Sequence, residues 1–167
     1  MSLASRILYC LPILLIPLHI EEANAKGICL YFSDQLATWF DALITCQKHY
    51  MCLADLDTEV TLIQMESKLP RDDHSYWFGL NAHEKNSYRY VSSNKSADYS
   101  PVSSNLVNDG GCAFVKHDDG FYKFLSADCH TRKRFICSRA EECDGVSISP
   151  RKSQCVISPE DKEIVAY

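Results

Sequence analysis

The sequence carries no surplus of positive charge: 17 Lys and Arg stand against 22 Asp and Glu, a formal net charge of −5. That balance argues against a protein gripping nucleic acid through a basic surface. No apolar stretch reaches the roughly 20 residues a helix needs to span a bilayer. The Ile7–Ile20 run has 14 residues and is interrupted by Pro12 and Pro17. Cys-x-x-Cys is missing, which removes zinc ribbons and thioredoxin-like redox sites. Gly-x-Ser-x-Gly, a phosphate-binding loop and His-Glu-x-x-His are missing too, so the common hydrolase, nucleotide and metalloprotease signatures have no foothold. His49, His74, His83, His117 and His130 show no pair at metal-ligand spacing. Asp72-Asp73 and Glu141-Glu142 are adjacent acids, a poor layout for a facing general acid and base. His117-Asp118-Asp119 reads as a solvated hairpin tip. No internal repeat is visible. The expectation is a binding protein and not an enzyme.

What the chain has is cysteine, 9 in 167 residues, together with 11% aromatics that set it apart from disordered sequences. Cysteine at this density belongs to an oxidising compartment. The N-terminus agrees: one positive charge in Met1–Arg6, the apolar run, then Ala23-Asn24-Ala25 with small residues where signal peptidase reads. Residues 1–25 are expected to be a secretory signal, with Cys10 leaving in it. Eight cysteines then remain: Cys29, Cys46, Cys52, Cys112, Cys129, Cys137, Cys143 and Cys155. Spacing alone allows about 105 pairings.

The pattern predicts an α+β domain. Cys29–Ser33 is a short strand. Thr38 caps a helix with Asp41 three residues on, and Trp39, Leu43, Cys46 and Tyr50 form its buried stripe. A second helix opens at Asp57 and Glu59, buries Leu62, Met65 and Leu69, and stops at Pro70. Short strands follow: Tyr76–Leu80 with Tyr88–Val91, then Cys112–Val115 and Phe121–Leu125 around an Asp-Gly turn, then Arg134–Cys137. Ser92–Gly111 reads as a long loop of the kind that usually serves a purpose. Residues 140–167 read as a polar tail outside the core.

Trp39 through Cys46, Leu53-Ala54, Trp77-Phe78-Gly79-Leu80, Cys112, Cys129 and Phe135-Ile136-Cys137 together resemble the C-type lectin-like domain. The similarity covers residues 26–139, and the nearest look is that of secreted single-domain insect lectins, several serving in immunity or seminal fluid. The resemblance implies a fold of two helices with mostly antiparallel short strands and a long loop region. It also implies the bridges Cys46–Cys137 and Cys112–Cys129, worth about 4–5 and about 3 kcal/mol in the chain-entropy model. Of the remaining four, Cys143–Cys155 is favoured as a local loop and Cys29–Cys52 follows by elimination. A competing arrangement joins the tail back to Cys29 or Cys52.

Lectins of this family hold a calcium ion beside the long loop, and calcium takes six to eight oxygen ligands. Counting back from Cys129, Phe124-Leu125-Ser126 stand where the family has Trp-Asn-Asp. Counting back from Cys112, Leu106-Val107-Asn108 stand where it has Glu-Pro-Asn or Gln-Pro-Asp. No calcium or other cofactor is therefore expected. The expected function is glycan recognition without calcium, with Asn105, Asn108, Asp109, Phe121 and Tyr122 shaping the binding face. The alternative is a disulfide-rich module that docks on, or inhibits, an extracellular protein. Phe124, Trp39 and Trp77 are expected in the core, and one of Phe121 and Tyr122 outside it. Arg132-Lys133-Arg134 reads as a solvated basic turn, with acidic glycans as its other possible partner. Asn94-Lys95-Ser96 is the N-glycosylation pattern.

Overall fold

The computed structural model describes residues 29–83, 87–107 and 111–148, with the backbone of 163–164. The expected signal sequence, Cys155, Asn108 and Asp109 lie outside the described residues. In chain order the elements are β1 (Leu30–Phe32), α1 (Trp39–Lys48), β2 (Cys52–Leu53), α2 (Glu59–Lys68), β3 (Ser75–Asn81) and β4 (Arg89–Tyr90). They continue with α3 (Ser100–Ser103), β5 (Cys112–Asp118), β6 (Phe121–Ala127), β7 (Arg134–Ser138), β8 (Glu142–Cys143), β9 (Val146–Ser147) and β10 (Glu163–Ile164).

Both helices begin where side-chain oxygens meet the first free N–H groups. The Thr38 hydroxyl accepts from Asp41 N–H at 3.1 Å and donates to the Asp41 carboxylate at 2.8 Å. At α2 a reciprocal box joins Thr58 and Thr61, each backbone N–H donating to the other's hydroxyl at 3.2 Å. Asp57, expected to open α2, lies before this cap and instead pairs with Lys95 at 3.2 Å. The α1 stripe ends sooner than expected. Tyr50 lies past the helix with φ 56° and is exposed, while buried Met51 donates its N–H to Cys46 O at 3.0 Å. The left-handed turn at Tyr50 swings the chain back so that Cys52 enters the sheet.

The main sheet runs β10-β1-β7-β3-β5-β6, with β2 on β7 and β4 on β3. All its pairs are antiparallel except β3 with β7. Alternation along the strands sends residues to two cores. Tyr76, Phe78 and Leu80 of β3 join Met65 of α2, Val115, Phe124 and Ile136 on one side. Trp77 joins Trp39 and Leu43 of α1, Phe114, Phe135 and the cysteines on the other. The expected core tryptophans are there, each indole N–H donating to a carbonyl: Trp39 to Phe78 O at 2.9 Å and Trp77 to Ala37 O at 3.1 Å. Gly79 is required by close approach, because a Cβ there would sit 2.7 Å from Leu53 O.

Three expectations need correction. The 92–111 stretch contains α3, whose Val102 is fully buried, and Ala97, Tyr99 and Leu106 pack on the core beside it. The segment after 140 is not outside the core: β8 and β9 form a hairpin, Cys143 is fully buried and Ile148 is buried. The bridges Cys46–Cys137 and Cys112–Cys129 are formed, but the third is Cys52–Cys143. Cys143–Cys155 and Cys29–Cys52 are thereby excluded. The competing arrangement holds because β2 and the β7–β8 connection place both cysteines in the same core, with Cα atoms 5.4 Å apart. Cys29 is also disulfide-bonded.

Candidate functional site

The β5–β6 hairpin carries most of the residues singled out from the sequence. Its register pairs Cys112 with Ala127, Ala113 with Ser126, Phe114 with Leu125 and Val115 with Phe124. Phe124 is buried and meets Phe78 edge-on, ring centroids 5.9 Å apart. Leu125 packs against the α1-side core. The triplet at this register thus contributes a single side-chain oxygen, the Ser126 hydroxyl. A calcium ion needs a ring of hard oxygens, and an aromatic, an aliphatic and a hydroxyl do not fit it. Among the described residues no group of three or more His, Cys, Asp or Glu could hold a metal ion.

Of the five expected face residues, Asn105, Phe121 and Tyr122 lie among the described residues. Phe121 and Tyr122 sit at the tip of the hairpin, where Asp118 faces Phe121 around Asp119 and Gly120, with φ 51° and 85°. Asn105 follows α3 and is exposed. Tyr122 is half-buried and structural: its hydroxyl meets Glu66 O at 3.1 Å and Leu69 O at 2.9 Å, tying the hairpin to the end of α2. Phe121 remains 73% exposed. With Ile63, Glu66 and Arg71 it borders a shallow groove of about 330 Å³.

A different cluster surrounds Asp55, on the chain between β2 and α2. Its Oδ2 accepts hydrogen bonds from the hydroxyls of Ser92 and Ser93, the latter at 3.1 Å. Its Oδ1 is buried without a partner. Burial pushes the carboxyl up to about 6, against the opposing pull of the two serine hydroxyls. The carboxyl borders a cavity of about 340 Å³ shared with Arg139, Glu141 and Glu142.

The Lectin C-type domain family matches residues 35–139, well over half of the sequence. The chain belongs to the C-type lectin family. Human lithostathine-1-alpha is 28% identical to this lectin domain protein over 127 residues, covering 70% of this chain and 75% of that one. Among solved structures, the C-type lectin domain of murine dendritic cell inhibitory receptor 2 in complex with N-glycan superposes with a TM-score of 0.59 at 15% identity. That match covers 68% of this chain and 91% of the other. A Ca²⁺-independent C-type lectin from Saxidomus purpuratus superposes with a TM-score of 0.56 at 20% identity, covering 67% and 86%. The fold of the lectin domain is thus secure on both counts, α+β with disulfide staples.

The basic run disperses within this domain. Arg132 donates to Leu36 O at 2.8 Å, and the Lys133 ammonium lies 4.1 Å from the Phe114 ring centroid. Arg134 donates to the Tyr76 hydroxyl at 3.2 Å and stands 3.6 Å from both Asp34 and Asp72. No concentrated cationic patch for an acidic glycan results. Asn94 is exposed in a tight turn after β4, with φ 54° and its N–H donating to Tyr90 O at 2.8 Å. Sequence reasoning missed Asp55 and the residues of the β8–β9 hairpin. The Asp144-Gly145 step, the same turn signal as Asp119-Gly120, marked that hairpin; both glycines and both aspartates have positive φ.

Proposed function

We propose that this protein is a secreted C-type lectin-like binding protein, without enzymatic activity, that recognises an extracellular glycan without calcium. The single observation carrying the reading is that Leu125 and Ser126 occupy the register of the calcium-binding triplet, where one hydroxyl cannot replace two metal-coordinating side chains. The Ca²⁺-independent relative from Saxidomus purpuratus supports it as a precedent for this fold. Secretion is supported by the leader-like N-terminus and by buried disulfides typical of oxidising compartments. The domain extends past residue 139 to take in the β8–β9 hairpin, whose buried Cys143 is bridged to Cys52.

Thermal unfolding in millimolar calcium and in EDTA tests the reading together with a glycan array run in EDTA. Equal unfolding temperatures and specific sugar signals are expected. A rise of several degrees with calcium refutes calcium independence. The second reading, a docking module for an extracellular protein, draws on Phe121, an exposed aromatic beside the exposed Ile63. Silence on the array, with partner capture abolished by Phe121→Ser, would favour it.

A further inference from the structure

β4, the turn after it and the β8–β9 hairpin enclose a cleft of about 350 Å³, within the size range of small-ligand sites. Its polar lining includes Asn81, Arg89, Asn94, Glu142 and Asp144, together with Ser87 and Tyr90, and Val91 is an apolar wall. None of these belongs to the five residues expected to shape the binding face or to the Phe124–Ser126 triplet. The walls are fixed before any ligand arrives. Asp144 N–H donates to Val91 O at 3.0 Å, and the Arg89 guanidinium donates to Asn94 O at 2.9 Å. The Cys52–Cys143 bridge anchors the hairpin from below, and Gln47 reaches Cys143 O at 3.5 Å. Pre-organised polar groups lose little freedom on binding.

The chemistry of the lining selects the ligand. Two carboxylates against one guanidinium disfavour a phosphate or sulfate. Two carboxylates alone are too few for a hard cation, which needs at least six oxygens. An apolar ligand would take water from the exposed Glu142 and Asp144 carboxylates without replacing it. A ring bearing several hydroxyls satisfies both signs of charge, donating to Glu142 and Asp144 and accepting from Arg89. We propose that this cleft, and not a face built on Asn105, Phe121 and Tyr122, is where the protein holds a neutral pyranose. The proposal rests on the sugar-binding reading above and gives it a location. The pyranose could arrive on an external glycan or belong to a glycan on Asn94 itself, whose side chain stands in the lining.

The test uses Ser96→Ala, which removes the glycan acceptor pattern but leaves Asn94 in the cleft. The same protein with Glu142→Gln and Asp144→Asn is compared on a glycan array in EDTA. Both acids are exposed, and asparagine tolerates the positive φ at position 144, so unfolding temperatures should match. Ser96→Ala is expected to bind at least one pyranose-terminated glycan, and the two amide substitutions to weaken that binding at least tenfold. Glycosylated wild type that stays silent while Ser96→Ala binds identifies its own glycan as the occupant. Equal binding by both identifies an external one, and either supports the cleft. Undiminished binding after the two amide substitutions overturns the cleft and leaves the lectin reading standing. Silence of wild type and Ser96→Ala alike overturns both.

Discussion

Replacing Asp55 by asparagine should make the domain more stable at neutral pH. The carboxyl is held up to about 6 against an ordinary value of 3.8, chiefly by burial. A raised value in the folded state means that the native protein holds this proton more tightly than the unfolded chain. Between about pH 4 and pH 6 the native state therefore binds the extra proton, and its stability falls as pH rises. Two pH units correspond to about 3 kcal/mol at most. The substitution Asp55→Asn keeps the size of the side chain and an acceptor oxygen for Ser92 while removing the charge. The assay is urea unfolding of both proteins with disulfides intact at intervals from pH 4 to pH 8. The stability of Asp55→Asn minus that of wild type should grow by about 1–3 kcal/mol between pH 4 and pH 7, then level off. Subtraction cancels the titration of every other group. A difference that stays flat, or shrinks as pH rises, would show that the Ser92 and Ser93 hydroxyls outweigh the burial and would refute the reasoning.

Gly79→Ala should cost about 1–3 kcal/mol in the same urea assay, because the new methyl meets the Leu53 and Ala54 carbonyl oxygens at 2.7 and 3.1 Å and neither can rotate away; an unchanged midpoint would contradict this. Removing the Cys52–Cys143 bridge with paired alanines should cost about 3 kcal/mol, because the intact Cys46–Cys137 bridge leaves it only the short 46–52 and 137–143 stretches to close. A loss below about 1 kcal/mol would mean that the entropy argument fails here. Tyr122→Phe should lose about 1 kcal/mol with its two carbonyl partners on α2. Phe121→Ser should leave the unfolding midpoint within the error of the measurement, since that ring is exposed.

The sequence reveals the domain where residue type and spacing act locally. Thr38 with Asp41, the 3–4 spacing of Leu62, Met65 and Leu69, and Asp119-Gly120 each dictate a cap, a face or a turn within a few residues, and each forms. Alternation in Tyr76–Leu80 likewise announces a strand buried on two sides. Pairings set by tertiary packing were less accessible. Cys143 lies next to an Asp-Gly turn, but its bridge to Cys52 depends on β2 lying against β7, a contact between distant segments. The candidate site suffered for a related reason. Phe121 is exposed, as a binding face requires, yet its neighbour Tyr122 is half-buried and tied to the distant end of α2. Asp55 gave no local sign, because its hydroxyl partners Ser92 and Ser93 return to it from a distant part of the chain.

The bridges Cys46–Cys137 and Cys52–Cys143 are interleaved in sequence, neither enclosing the other. Every peptide bond from residue 46 to residue 143 is therefore spanned by at least one of them. A protease that nicks any single exposed loop in that stretch releases no fragment, and the halves stay joined until a reductant arrives. Damage that would dismantle an uncrosslinked domain leaves this one as a single covalent particle.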